Sequence, residues 1–105
     1  HRTDARSLER AASLTEGFEA SNSASLLDTR GWVLFRQGRH GEAVSVLERA
    51  VALAPKDPQM RYHLGMAQLG AGQREQGRAN LETALAPGIA FDGAEEARAA
   101  LAVKP

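Results

Sequence analysis

The tetrad Leu47-Glu48-Arg49-Ala50 returns as Leu81-Glu82-Thr83-Ala84, 34 residues further on. Other positions keep that offset: Gly31 with Gly65, Gly38 with Gly72, Arg39 with Gln73, and Ala43 with Gly77. A third copy, Leu8-Glu9-Arg10-Ala11, precedes Leu47 by 39 positions, which implies about five inserted residues, placed in the polar stretch from Glu16 to Ser23. Such a period accommodates two helices and a turn. One hairpin cannot bury its apolar face alone, so the period calls for neighbours stacked on either side. Alanine supplies about a fifth of the 105 residues and aromatics only 5%. That disfavours strands, whose pleated surfaces want β-branched and aromatic side chains. The expected fold is an all-α right-handed superhelix of stacked helical hairpins, with about six helices.

Local punctuation sets the expected boundaries. Asp57 followed by Pro58 reads as an N-cap with proline in the first turn, where a missing N–H costs nothing. Gly38 and Gly72 read as residues closing the first helix of each pair in a left-handed conformation, with the second helix opening about two residues later. Pro55 and Pro87 read as stops after the second helices, and Asp92 with Glu95 as a capping pair for a last helix through Val103. The expected partition is residues 1–23 as the second helix of a truncated preceding repeat plus a polar loop, full repeats at 24–57 and 58–91, and a capping helix at 92–105. Gly31 with Ala43, and Gly65 with Gly77, recur 12 apart within a hairpin. Small side chains there let paired helices approach at the short end of the usual separation of about 8–10 Å. Glycine inside a helix costs about 1 kcal/mol against alanine, so Gly77 is expected to serve close packing.

With Leu64, Gly65, Gly72, Leu81 and Ala84 in one copy, and Gly31, Gly38, Ala43, Leu47, Ala50 and Pro55 in the other, the chain resembles the tetratricopeptide repeat family. The likeness is good over residues 24–89 and looser outside them. The stretches Leu27 to Val33 and Arg61 to Gly65 also look like the C-terminal repeats of long bacterial tetratricopeptide proteins, some of them lipoproteins linked to exopolysaccharide production and exosortase-type sorting. That narrower resemblance implies an envelope setting, whereas the family alone leaves a cytoplasmic one equally open. Two departures stand out. The bulky residue at the fourth repeat position is Leu27 in one copy but Arg61 in the other, and the closing proline of the second repeat, Pro87, falls two places early and is followed by Gly88.

The resemblance implies a concave surface, lined by the first helix of each hairpin, that binds an extended peptide or a partner helix. Carried onto this sequence, the groove positions are Ser25, Asp28, Thr29, Trp32, Phe35 and Arg36, then Gln59, Tyr62, His63, Met66, Leu69 and Gly70. Asp28, Trp32, Phe35, Arg36, Gln59, Tyr62, His63 and Met66 are the candidate partner-binding residues, because Trp, Tyr, Met and Arg are enriched at binding hot spots. Some members clamp a peptide's C-terminal carboxylate with Lys, Asn and Arg. Those slots here hold Asp28, Trp32, Gln59 and His63, and no clamp is expected. Each candidate also has a plainer role. Trp32 and Tyr62 fit core packing as well as a groove, Asp28 fits the first turn of a helix as a complement to its dipole, and Arg36 and His63 fit ordinary solvated or hydrogen-bonded groups. Met60 and Met66, at helical spacing, fit core filler.

The 13 basic and 13 acidic side chains cancel, so no surplus of cations points to nucleic acid or an acidic membrane. Without cysteine the chain has no disulfides and no thiolate chemistry, and the redox compartment is left open. Apolar runs such as Ala50 to Ala54 fall far short of the roughly 20 residues that span a bilayer. His1, His40 and His63 do not stand at a metal-binding spacing. No Gly-x-Ser-x-Gly elbow occurs, and Gly70-x-Gly72 with Gly77 misses the dinucleotide fingerprint. No metal, cofactor or catalysis is expected. The chain opens on His1 without Met or a leader, which suggests a segment of a longer protein. The expected function is a non-enzymatic scaffold that binds a protein or peptide. The alternatives are a structural cap on a longer superhelix and self-association into a homo-oligomer.

Overall fold

A computed structural model describes residues 5–86, 88 and 91–102. Its helices are α1 (Ala5–Thr15), α2 (Ala24–Arg36), α3 (His40–Leu53), α4 (Pro58–Gly70), α5 (Arg74–Leu85) and α6 (Ala94–Ala102), with a short 3₁₀ turn at Glu16–Ala20 between α1 and α2. No strand occurs among the described residues. Consecutive helices pack against one another, α2 on α3 and α4 on α5 most extensively, while α4 also touches α2 and α6. The all-α hairpin stack and the six helices expected from the repeat are therefore present.

The hairpin ends follow the local chemistry. Gly38 and Gly72 have φ of 83° and 84°. Around each, two backbone bonds close the helix: Arg39 N–H to Leu34 C=O and Gly38 N–H to Phe35 C=O in one, Gln73 N–H to Gln68 C=O and Gly72 N–H to Leu69 C=O in the other. These are Schellman closures, satisfying carbonyls that a helix end otherwise leaves without partners. Asp57 caps α4, its Oδ1 accepting from Met60 N–H at 3.1 Å.

The core reflects the apolar spacing. Leu27 and Leu34 on α2, Leu47 on α3 and Leu81 on α5 are fully buried, each contributing about 1.5–3 kcal/mol relative to exposure. α4 buries residues almost all round, Met60 through Gln68, because α2, α3, α5 and α6 all lean on it. A Cβ added to Gly65 would stand 2.9 Å from the Gly77 carbonyl oxygen, and one added to Gly77 would stand 2.8 Å from the Gly65 oxygen. A Cβ on Gly31 would run into the Leu47 side chain rather than Ala43. Gly77 thus serves the close crossing.

Several expectations need correction. Asp28 is not in the first turn of α2, which opens at Ala24 after an N-cap at Ser23, whose side chain accepts from Leu26 N–H; it lies a turn further along. α6 opens at Ala94, two residues beyond Asp92, and no Asp92 side-chain cap is formed among the described residues; Gly93 takes φ of 98° there. The polar insertion is not wholly loop, since Glu16–Ala20 makes a 3₁₀ turn. It is held from outside: Arg30 donates to Glu19 Oε1 at 3.1 Å, to Ala12 C=O at 3.0 Å and to Thr15 Oγ1 at 3.3 Å, while Arg49 donates to the Glu19 and Ser21 carbonyls. Arg61, the polar intruder at the fourth repeat position, donates to Pro55 C=O and to Asn80 Oδ1, and Asn80 in turn donates to buried Gln68. His1, Pro87 and Val103 lie outside the described residues.

Candidate functional site

Trp32 is the hub. It projects from α2 and stacks on His63 of α4, with ring centroids 4.1 Å apart and 27° between planes, and on Phe35 one turn along its own helix at 4.8 Å and 20°. Tyr62 lies 5.5 Å away, tilted, and itself meets Phe91 at 5.9 Å. At the other end Phe35 meets His40 at 5.2 Å. The result is one continuous run of six rings, from His40 at the start of α3 to Phe91 just before α6. Helical geometry makes it possible: Trp32 and Phe35, three apart, share a face, and α4 lies alongside α2.

His63 is fixed from the opposite side as well. Its Nδ1 lies 2.7 Å from Asp28 Oδ1, with only 8% and 16% of the two side chains exposed. A carboxylate can only accept, which selects the tautomer in which Nδ1–H donates. Tyr62 is buried, at 6% exposure. Its ring covers Gly93, where any Cβ would collide with it. Burial, and after it the negative charge of Glu96, raises the Tyr62 hydroxyl above its ordinary pKa, with Arg36 opposing more weakly. The His40 ring stands between Phe35 and Gly70, and its buried Nδ1 has no hydrogen-bond partner among the described residues.

Two clefts open beside these rings. The first, of about 280 Å³, is lined by Ser25, Asp28 and Thr29 of α2 and by Asp57, Gln59 and Met60 at the start of α4. The second, of about 200 Å³, is lined by Trp32, Gln59, Tyr62 and His63, and closed by Asp92, Gly93 and Glu96. Gln59 belongs to both. Of the residues named from sequence, Asp28, Trp32, Gln59, Tyr62 and His63 thus line the clefts, and Phe35 supports Trp32. Arg36 is exposed on α2 and lines neither. Met66 packs with Leu81 and Tyr62 in the second core cluster. Sequence reasoning missed Phe91, Asp92 and Glu96 at this face, having read Asp92 only as a cap. The signal available was Phe91 itself, a large aromatic directly ahead of a helix start.

Two family models described as tetratricopeptide repeat match the chain, one over residues 34–88 and the other over residues 4–59. The chain belongs to the tetratricopeptide repeat family. Repeats of this kind generally mediate protein–protein interaction and are typically non-enzymatic scaffolds. No curated protein and no solved structure matches the chain. No helix among the described residues is long and apolar enough to cross a membrane.

Proposed function

We propose that this chain is a scaffold whose repeats, at 24–57 and 58–91, hold an extended peptide or a partner helix against the face made by α2, α4 and the approach to α6. One observation carries the reading: the run of rings centred on Trp32 lies beside two adjoining clefts that share Gln59. Large flat side chains held by their neighbours lose little freedom when a partner docks, so less of the contact energy is spent on ordering. Trp32 is the only tryptophan, and its emission reports on the face directly. Peptides selected against the chain should shift that emission and move the backbone amide resonances of α2 and α4. Trp32→Ala combined with Gln59→Ala should abolish their binding with helical circular dichroism unchanged. Binding that survives both changes, or resonance shifts confined to the outer side of α3 and α5, would refute the reading.

A second reading draws on α1. Leu14 is 74% exposed, beside a shallow cleft lined by Arg6, Glu9, Arg10 and Ser13, a surface suited to a further helix. That helix would come from a longer stack, for which this chain would form the end, or from another copy of the chain. The likeness of Leu27–Val33 and Arg61–Gly65 to envelope-associated repeats belongs to this reading. Sedimentation distinguishes its two forms: a mass that rises with concentration and is lost in Leu14→Glu supports pairing, and a monomer at high concentration excludes it.

A further inference from the structure

We propose that the hydrogen-bonded set Arg61, Gln68 and Asn80 decides which helix α4 accepts as its hairpin partner, so that two near-copies of one hairpin in a single chain assemble in one order only. The hairpins repeat at an offset of 34 residues, and each therefore offers the other's helices a false partner. Moved back by 34, Arg61, Gln68 and Asn80 fall on Leu27, Leu34 and Val46. Those three are buried in one apolar cluster, Leu27 and Leu34 completely. In the second hairpin the same places hold a chain of hydrogen bonds instead. Arg61 donates to Pro55 C=O at 3.0 Å and to Asn80 Oδ1 at 2.9 Å, and the Asn80 amide donates to Gln68 Oε1 at 2.7 Å.

The set discriminates in both directions. With α3 in the place of α5, Val46 would stand where Asn80 stands. Gln68, at 4% exposure, would lose its donor and Arg61 one of its two acceptors, and an unpaired buried polar group costs about 1–3 kcal/mol. With α5 in the place of α3, Asn80 would face Leu27 and Leu34, which offer its amide nothing to bond. A separate steric bar adds to the refusal of α3. Ala43 is the counterpart of Gly77, and a Cβ at Gly77 would stand 2.8 Å from the Gly65 carbonyl oxygen, so α4 approaches α5 more closely than alanine permits. Stability alone does not call for the polar set, since leucine and valine fill these places in α2 and α3, and replacing a buried polar network by well-packed apolar groups is often neutral or stabilising. What the network supplies is a pairing satisfied with one partner and left unsatisfied with the other. Wrong pairing is the characteristic failure of chains built from like repeats.

The test gives the full chain the first hairpin's residues. One variant carries Arg61→Leu, Gln68→Leu and Asn80→Val; a milder one carries Gln68→Leu with Asn80→Val and leaves Arg61 on Pro55 C=O. Each is unfolded in urea and refolded by dilution at rising protein concentration, in the Leu14→Glu background, which removes any pairing through α1. Trp32 emission reports correct assembly, because its ring stacks on His63 only when α2 lies against α4. The chain with its native set should refold in one phase to a monomer. Both variants should unfold at an equal or higher urea concentration, yet show a slow refolding phase, helical species with altered Trp32 emission and dimers that persist on dilution. Their yield of native monomer should fall about twofold or more at the highest concentration. Adding Ala43→Gly, which lifts the steric bar, should lower it further. Variants that unfold at lower urea and still refold in one phase to the native monomer would overturn the proposal. Failure of both variants to fold would overturn it too, because the polar set would then serve stability and not selection.

Discussion

Asp28 of the first hairpin and His63 of the second meet at 2.7 Å, so one hydrogen bond between largely buried side chains joins two successive repeats. It also holds the imidazole flat against Trp32. Asp28→Ala should leave the His63 donor without its partner and lower unfolding stability by roughly 1–3 kcal/mol, read from urea denaturation. Asp28→Asn keeps an acceptor oxygen in place and should lose clearly less. Equal losses in the two variants would mean that the bond contributes little.

Tyr62 is the only tyrosine, so absorbance at alkaline pH titrates it directly. Its pKa is raised by burial, with Glu96 reinforcing, and the neutral phenol is therefore favoured in the folded chain. The associated stability is fully present below the unfolded value of about 10 and is lost as pH rises through the higher folded value. Tyr62→Phe should flatten the alkaline limb of the stability profile. A tyrosine that titrates at or below 10 in the folded protein would contradict the burial argument.

Gly77→Ala gains helix propensity yet places a methyl 2.8 Å from the Gly65 carbonyl oxygen. Backbone yields less readily than a side-chain tip, so a net loss of about 1–3 kcal/mol is expected. Gly41, near the start of α3, has open space where its Cβ would go, and Gly41→Ala should raise stability by up to about 1 kcal/mol. Melting temperatures moving in the same direction would refute the close crossing.

Arg30, at 6% side-chain exposure, ties α2 to the end of α1. Arg30→Met should speed hydrogen exchange in α1 and the Glu16–Ala20 turn while α3 to α5 keep their protection, at a cost of roughly 1–3 kcal/mol. Glu19→Gln should have a much smaller effect, because that carboxylate is 42% exposed and its pairing is weakened by solvent. Uniform loss of protection along the chain would show that α1 does not open separately.

What the sequence made legible was what neighbouring residues decide among themselves. The 34-residue period, the glycines at 38 and 72 and the Asp57-Pro58 start are governed by local backbone requirements, and they located the helices. The start of α2 was harder: Asp28 fits a first-turn acid by type alone, but Ser23 caps the helix and opens it at Ala24, which leaves Asp28 a turn further in. Asp92 resembled a cap, but Tyr62, thirty residues away, settles over Gly93 and fixes a different entry to α6. The groove positions brought Asp28, Trp32, Gln59, Tyr62 and His63 onto one face. Phe91 and Glu96 join them only through packing of α6 on α4, which no spacing rule encodes. Met66 turned to the core because Leu81 and Tyr62 offer it an apolar bed.

Arg49 grips the inserted segment through two main-chain oxygens, those of Glu19 and Ser21. Every amino acid offers the same oxygen, so the grip is indifferent to which side chains hang there. Substitutions along that detour leave the hold of Arg49 intact so long as the path is kept, whereas Glu19 and Ser23 also act through their side chains, on Arg30 and on the start of α2.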